Sequence, residues 1–156
     1  MNEFVGRKLG EVLAFSEIGS ETFKKGKSAL DVVFGEEKVR EFIKENDNLK
    51  EEILSVAEVA WMIDVTLKKS EATNGKLRHM RDYYIGDDWD DPAELLEWLG
   101  FFIGAALVHW KLVEGAAETL DNGVLKELSE KGVSFNQGIL REVSDKIKEI
   151  GAKKSV

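Results

Sequence analysis

The sequence has no cysteine, a single proline at Pro92 and fewer basic than acidic residues. The absence of cysteine excludes disulfides, iron–sulfur clusters, thiolate zinc sites and a cysteine nucleophile. One proline and no low-complexity tract exclude collagen-like and linker-rich chains. With 22 basic and 30 acidic residues the net charge is −8, which argues against nucleic acid or an anionic membrane as a general partner.

Long apolar runs and a targeting signal are also lacking. The longest charge-free apolar run covers residues 98–110, which is shorter than the roughly twenty residues of a membrane span and predicts a buried core helix. The N-terminus has no basic start followed by an apolar segment, so we expect a cytoplasmic protein. The 17 Lys and 20 Glu beside a single Gln are typical of a thermophile.

Helical periodicity dominates what is present, and no stretch alternates with period two for long enough to predict a strand. We therefore predict an all-α fold, a single-domain bundle of five to seven helices spanning residues 1–156. Residues 48–70 and 92–120 are expected to form two long central helices, the most buried pair. The helices at 3–25 and 135–150 are expected to pack against them.

Several helix boundaries follow from local signals. Asp91-Pro92-Ala93-Glu94 predicts a reciprocally capped helix start. Asp47 or Asn48 is expected to begin the helix at 48–70, after a short helix at 36–45, and Asn74-Gly75 to lie just after its end. Gly132 is expected to end a short helix at 124–131, and residues 134–137 to begin the last one. In the first helix Val5, Leu9, Val12, Ser16, Gly19 and Phe23 form an inward stripe, with Glu11 on the outer side.

Five residues are candidate ligands for a divalent metal: Glu58, Asp64, Glu94, Glu97 and His109. Glu58 and Asp64 are the only ionisable residues between Ile53 and Leu67, so we expect both to be buried. A buried carboxylate needs a partner or a raised pKa, which makes Glu58 a functional candidate. Alternatively, Glu58 pairs with an arginine or a helix end. His109 lies in the apolar run and is either a metal ligand or hydrogen-bonded in the core.

Two families of helical metalloproteins invite comparison. The ferritin-like di-iron pattern needs Glu-x-x-His on two helices, and here Lys76 and Ala106 occupy the positions three before the histidines. Residues 91–102 look like one metal-binding helix of the nucleoside triphosphate pyrophosphohydrolases of the MazG type, which bind magnesium through Glu-x-x-Glu and Glu-x-x-Asp. One register places Trp98 and Phe101 at the acidic positions, and a shift of one turn recovers Glu94 and Glu97. Neither pattern is complete, so we assign the chain to neither family.

Three further patterns have a structural and a functional interpretation. The acidic residues between Asp82 and Glu94 lack the spacing of a calcium loop and are either a solvated, capping turn or a weak cation site. Residues 76–84 combine basic and aromatic side chains that either contact a phosphate or base or pair with nearby aspartates. Gly100 and Gly104 have the GxxxG spacing, which indicates either a close helix crossing inside the bundle or the contact of a symmetric dimer.

No phosphate-binding loop and no Gly-x-Ser-x-Gly sequence is present. Our leading hypothesis is therefore a non-enzymatic, homo-oligomeric (dimeric) interaction or scaffold protein without a cofactor, with a further protein partner also open. The alternative is a divalent-metal-binding protein or metal-dependent enzyme that uses carboxylates in the bundle core.

Overall fold

The computed structural model describes residues 1–156 and is all-helical, as predicted. Its six helices lie in one compact bundle: α1 (Glu3–Lys25), α2 (Lys27–Phe34), α3 (Glu36–Val59), α4 (Ile63–Ile85), α5 (Pro92–Leu120) and α6 (Gly123–Lys154). The number of helices agrees with the expected five to seven. The first-helix bounds, the start at Pro92 and the end at Leu120 are also confirmed.

The central helix is α1, which corrects the prediction that 48–70 and 92–120 form the central pair. α1 packs against α3, α4 and α5, and most of its residues are buried. Its inward stripe is as predicted. α4 runs parallel to α1, because Gly6 packs on Met62 while Glu21 bonds Arg78. α5 runs antiparallel to α1, since Phe15 contacts Phe102 while Glu11 lies beside His109.

α1 can hold three neighbours because glycines line its contacts. A Cβ on Gly10 would lie 2.5 Å from the carbonyl oxygen of Thr66, so α1 and α4 touch through their backbones. The Thr66 hydroxyl donates to the Gly6 carbonyl across this contact, at 3.0 Å. Gly6 and Gly10 therefore form the close GxxxG crossing of the fold. A Cβ on Gly100 or Gly104 would meet nothing within 4 Å. The prediction that these two glycines mark a close helix crossing inside the bundle is therefore wrong.

The helix predicted at 48–70 is interrupted after Val59, and its first half continues back to Glu36 without a cap at residues 47–48. The Trp61 N–H donates to the Glu58 carbonyl at 3.1 Å, and the Met62 N–H donates to the Ala57 carbonyl at 2.8 Å. This is a Schellman motif, in which the residue after the cap is left-handed and usually glycine. Trp61 occupies that position with φ of 58°, at a cost of about 1 kcal/mol. No Gly, Pro or Asn lies at the turn, so none of the usual local signals predicts it.

Two expected helix ends are in fact helix interiors. α4 continues through Asn74 because its side-chain amide donates to Glu17 of α1, at 3.0 Å, instead of capping its own backbone. α6 continues through Gly132, which packs directly on the Trp110 ring and leaves no room for a Cβ. At both places the residue serves a contact between helices. The predictions of a separate short helix at 124–131 and of a helix start at 134–137 are therefore wrong.

Candidate functional site

The five candidate metal ligands do not come together. Glu58 lies in the last turn of α3 and Asp64 in the first turn of α4, and both are exposed, so the prediction that they are buried is wrong. The helix that was expected to surround them with apolar residues ends between them. Glu94 and Glu97 lie one turn apart at the start of α5, and His109 follows about 18 Å further along that helix. No three His, Asp or Glu side chains converge in a way that would hold a metal ion.

The carboxylate that is buried is Glu11, which the sequence analysis placed on the outer side of α1. Its oxygens lie 3.0 Å from Lys8 Nζ, 3.4 Å from Lys69 Nζ and 3.7 Å from His109 Nε2. A signal for its burial exists, because Ala14, Phe15 and Ile18 follow Glu11 at helical spacing and widen the apolar stripe. Two ammonium groups offset the cost of burying this carboxylate.

His109 is half-buried and hydrogen-bonded to the backbone of its own helix. Its Nδ1 lies 2.7 Å from the Ala105 carbonyl oxygen, which can only accept, so Nδ1 carries the proton. The other nitrogen faces Glu11, and the ring packs on Phe15 with centroids 4.9 Å apart. The side chain is 33% exposed, so His109 is hydrogen-bonded as one of the two interpretations expected but does not lie in the core.

The two arginines of residues 76–84 are paired within the molecule. Arg81 is 2% exposed; it donates to Glu21 at 2.7 Å and to Asp82 at 2.9 Å. Arg78 donates to both oxygens of Glu21, and together the two guanidinium groups lower the pKa of Glu21 from 4.5 to about 2, with the Arg78 hydrogen bonds as the largest cause. Trp89 covers the Arg81 guanidinium, whose carbon lies 5.3 Å from the ring centroid. This network links α1 to α4 and favours the pairing interpretation of the patch.

The acidic segment serves mainly to start α5. Asp91 accepts a hydrogen bond from the Ala93 N–H at 2.8 Å, which confirms the predicted N-cap. The reciprocal bond does not form, because the Asp91 N–H donates to the Asp88 carbonyl instead of to Glu94. Desolvation, followed by the charges of Glu97, Asp88 and Asp91, raises the pKa of Glu94. These carboxylates repel one another, and the charge of Lys154 offsets part of that repulsion at Glu94.

The most extended unpartnered feature is the outer side of α5. The expected buried core helix at 98–110 is buried on one side only, with Trp98, Phe102 and Trp110 inside. Within about 60° of Val108 on a helical projection, the outward side between Phe101 and Gly115 carries six apolar or small residues and one charged residue, Lys111. We call the six the α5 face: Phe101, Gly104, Ala105, Val108, Leu112 and Gly115. Phe101 is 65% exposed and Val108 is 63% exposed. α5 is also the one helix long and apolar enough to cross a membrane by composition, although 44% of its most apolar 18-residue window is buried in the bundle.

Comparison of this chain with known protein families, with curated protein sequences and with solved structures finds no match.

Proposed function

We propose that the protein is a homodimeric helical scaffold in which the α5 face of one copy packs antiparallel on the α5 face of another. The observation that carries the proposal is the exposure of this face. An apolar side chain in water forgoes the free energy of burial, about 25 cal/mol per Å². The Tyr84 ring contacts Phe101, with centroids 5.5 Å apart, but Phe101, Val108 and Leu112 all remain exposed. Contiguous exposed apolar patches of this kind mark contacts with other molecules.

The available area is of the size that an interface needs. Phe4 and Leu120 flank Leu112 along a groove of about 420 Å³ between the start of α1 and the end of α5. Taking about 200 Å² for a complete aromatic side chain and somewhat less for Val and Leu, the exposed parts of these side chains and of Phe101 and Val108 amount to on the order of 500 Å². A standard interface buries about 800 Å² per partner, including its polar rim. Lys111, Glu114 and Thr119 supply such a rim.

The order of large and small residues favours a second copy as the occupant. In an antiparallel pair centred on Val108, Gly104 lies opposite Leu112 of the other copy, and Phe101 lies opposite Gly115. Each large side chain therefore meets a glycine whose Cβ position is open. Small residues that face large ones let two helices approach closely, and a twofold interface repeats each contact twice. The GxxxG spacing of Gly100 and Gly104, which makes no close contact inside the bundle, thus allows a close contact between copies at Gly104.

The mass in solution tests the proposal. At about 100 μM, well above the Kd of a stable dimer, light scattering during gel filtration should give twice the chain mass of 17.5 kDa. Val108→Lys places a charge at the centre of the face and should give the monomer mass. The matched control is Val32→Lys on α2, since Val32 is 81% exposed and lies outside the face. A monomeric wild-type protein, or equal dissociation by both variants, would refute the proposal.

Cysteine cross-linking tests the antiparallel register, and the absence of native cysteines makes the result unambiguous. Val108→Cys lies on the proposed twofold axis and should form a disulfide dimer on mild oxidation. Phe101→Cys alone should not, because its partner copy would lie about 21 Å away along the helix, beyond the roughly 7 Å that a disulfide spans between Cα atoms. The double variant Phe101→Cys with Gly115→Cys should cross-link again. Efficient cross-linking by Phe101→Cys alone would indicate a parallel pair.

A further inference from the structure

The turn between α3 and α4 carries a strained and almost fully exposed tryptophan. Trp61 has φ of 58°, in the left-handed region that favours glycine. The same motif ends α5, where the corresponding residue is Asp121 with φ of 49°, and aspartate tolerates this conformation better than most residues. Trp61 is 92% exposed, so no packing within the chain compensates for the strain. Strained residues that their own fold does not need are concentrated at functional sites.

Trp61 follows Ala60 in the chain, and Ala60 lines an apolar groove at this end of the bundle. Val59 is 80% exposed, and Val124 at the start of α6 is exposed as well. Beside them lies an open groove of about 420 Å³. Five apolar residues line it: Met1, Val56, Val59, Ala60 and Val124. We call Trp61 and this groove the Trp61 end.

Three carboxylates lie close along the chain to residues of the Trp61 end. Glu58 precedes Val59, Asp64 lies in the first turn of α4, and Asp121 follows the last turn of α5. All three are exposed, and none takes part in an ion pair within the chain. Lys126, in the first turns of α6, is the nearest basic residue to Val124 along the chain. Met1, which carries the positively charged α-amino group, lines the groove as well. Three carboxylates against this group and Lys126 leave an excess of one negative charge.

We propose that the Trp61 end binds a basic amphipathic helix of a partner protein. The apolar side of such a helix fills the groove beside Trp61, which is the type of residue that most often dominates binding energy at interfaces. Its Lys and Arg residues face Glu58, Asp64 and Asp121. A second copy of this chain fits poorly here, because contact between two such ends would bring the same carboxylates together. An anionic membrane surface is repelled for the same reason.

This inference uses a different surface from the α5 face. In the antiparallel dimer proposed above the two Trp61 ends lie at opposite ends, because each lies at the C-terminal end of its own α5. The dimer would then present two binding sites facing away from each other. The binding site itself does not depend on dimerisation, so the two proposals fail independently.

The test uses a fluorescently labelled helical peptide with Leu at positions i, i+3, i+4 and i+7 and Lys at the others, titrated with the full protein and followed by anisotropy. We expect saturable one-to-one binding per chain. Trp61→Gly should weaken binding at least about ten-fold and at the same time raise Tm by about 2–4 °C, because glycine accepts the left-handed conformation. This variant removes the side chain while making the fold more stable, so lost binding cannot be ascribed to unfolding.

Charge and location are tested separately. Glu58→Lys should weaken binding several-fold and reduce its dependence on salt, whereas a Leu/Glu peptide of the same pattern should not bind. Val108→Lys should leave binding unchanged, because it alters only the α5 face. Equal affinity of wild type and Trp61→Gly, or binding of the Leu/Glu peptide, would overturn the proposal. Loss of the dimer mass in Trp61→Gly would also overturn it, because the Trp61 end would then be a contact between copies.

Discussion

Gly10→Ala is the substitution that most directly tests how the bundle is held together. A Cβ at this position would lie 2.5 Å from the Thr66 carbonyl oxygen and 2.7 Å from Lys69 Cβ, whereas relaxed contacts between heavy atoms are about 3.5–4.0 Å. The nearest atom belongs to the backbone of a helix and cannot rotate away. α4 therefore has to move away from α1 by about 1 Å, which also stretches the 3.0 Å hydrogen bond from Thr66 to Gly6.

The magnitude follows from three contributions. Overpacking costs about 1–3 kcal/mol, and the upper part of that range applies because the clash involves backbone. Weakening the hydrogen bond costs about 1 kcal/mol. Replacing glycine by alanine inside a helix stabilises the folded state by about 1 kcal/mol through the higher helix propensity of alanine. The expected loss in the free energy of unfolding is about 2–3 kcal/mol, which lowers Tm by about 4–12 °C for a domain of this size.

Two matched substitutions separate packing from helix propensity. Gly75 lies in the interior of α4 with nothing within 4 Å of its Cβ position, so Gly75→Ala should gain about 0.5–1 kcal/mol and raise Tm by about 1–4 °C. The stability of Gly6→Ala should lie between those of Gly10→Ala and Gly75→Ala. Its Cβ would meet the Met62 and Val65 side chains at 3.3 Å, and the Met62 side chain is flexible enough to move. The measurement is thermal and urea unfolding followed by circular dichroism.

The order of the three variants decides the question. If α1 and α4 touch through their backbones, Gly75→Ala is the most stable of the three variants and Gly10→Ala the least. If Gly10→Ala unfolds at or above the temperature of Gly75→Ala, α1 and α4 are not in backbone contact, and the account of α1 as the central helix is wrong. An unchanged urea m-value would show that the variants unfold from equally compact states.

Three further outcomes are expected. Glu21→Gln should lower the free energy of unfolding at pH 7 by about 1 kcal/mol, a value that allows for solvent screening. Because the folded pKa of Glu21 is depressed to about 2, this difference from wild type should shrink as pH falls below 4.5 and vanish near pH 2, as measured by urea titration at each pH. Asp91→Ala should cost about 1 kcal/mol by loss of the α5 cap, against no effect of Asp90→Ala. Millimolar Mg²⁺ or Mn²⁺ should leave Tm unchanged; a rise that Glu58→Gln abolishes would instead support the metal hypothesis.

The candidate site shows where reasoning from sequence reaches its limit. Glu58 and Asp64 were expected to be buried because apolar residues surround them at helical spacing, but the chain turns between them at Trp61 and leaves both in water. Glu11 was placed outside because charged neighbours accompany it, yet α1 is in contact on three sides and has only a narrow outer surface. For Glu11 the helix was predicted correctly, and its burial depended on how many neighbours that helix has. For Glu58 and Asp64 the predicted helix was itself wrong, because it is interrupted between them.

The sequence by itself determined the all-helical class, the bounds of α1, the capped start of α5 and its end, because these follow from periodicity and from hydrogen bonds between residues a few positions apart. The tertiary structure decided which glycines are packing residues. Gly10 and Gly132 lie where a backbone or a ring presses on the helix, while Gly75, Gly100 and Gly104 meet nothing, and no local signal distinguishes the two groups. It also decided that the apolar segment predicted as one helix at 48–70 is divided between two. Folding back at Trp61 lets Ile53 and Ala57 join a core cluster that includes residues of α1, while Thr66 packs on α1 from α4. These features depend on contacts between residues that are far apart in the sequence. Such contacts contribute to stability only when the helices are packed together, so local sequence patterns do not reveal them.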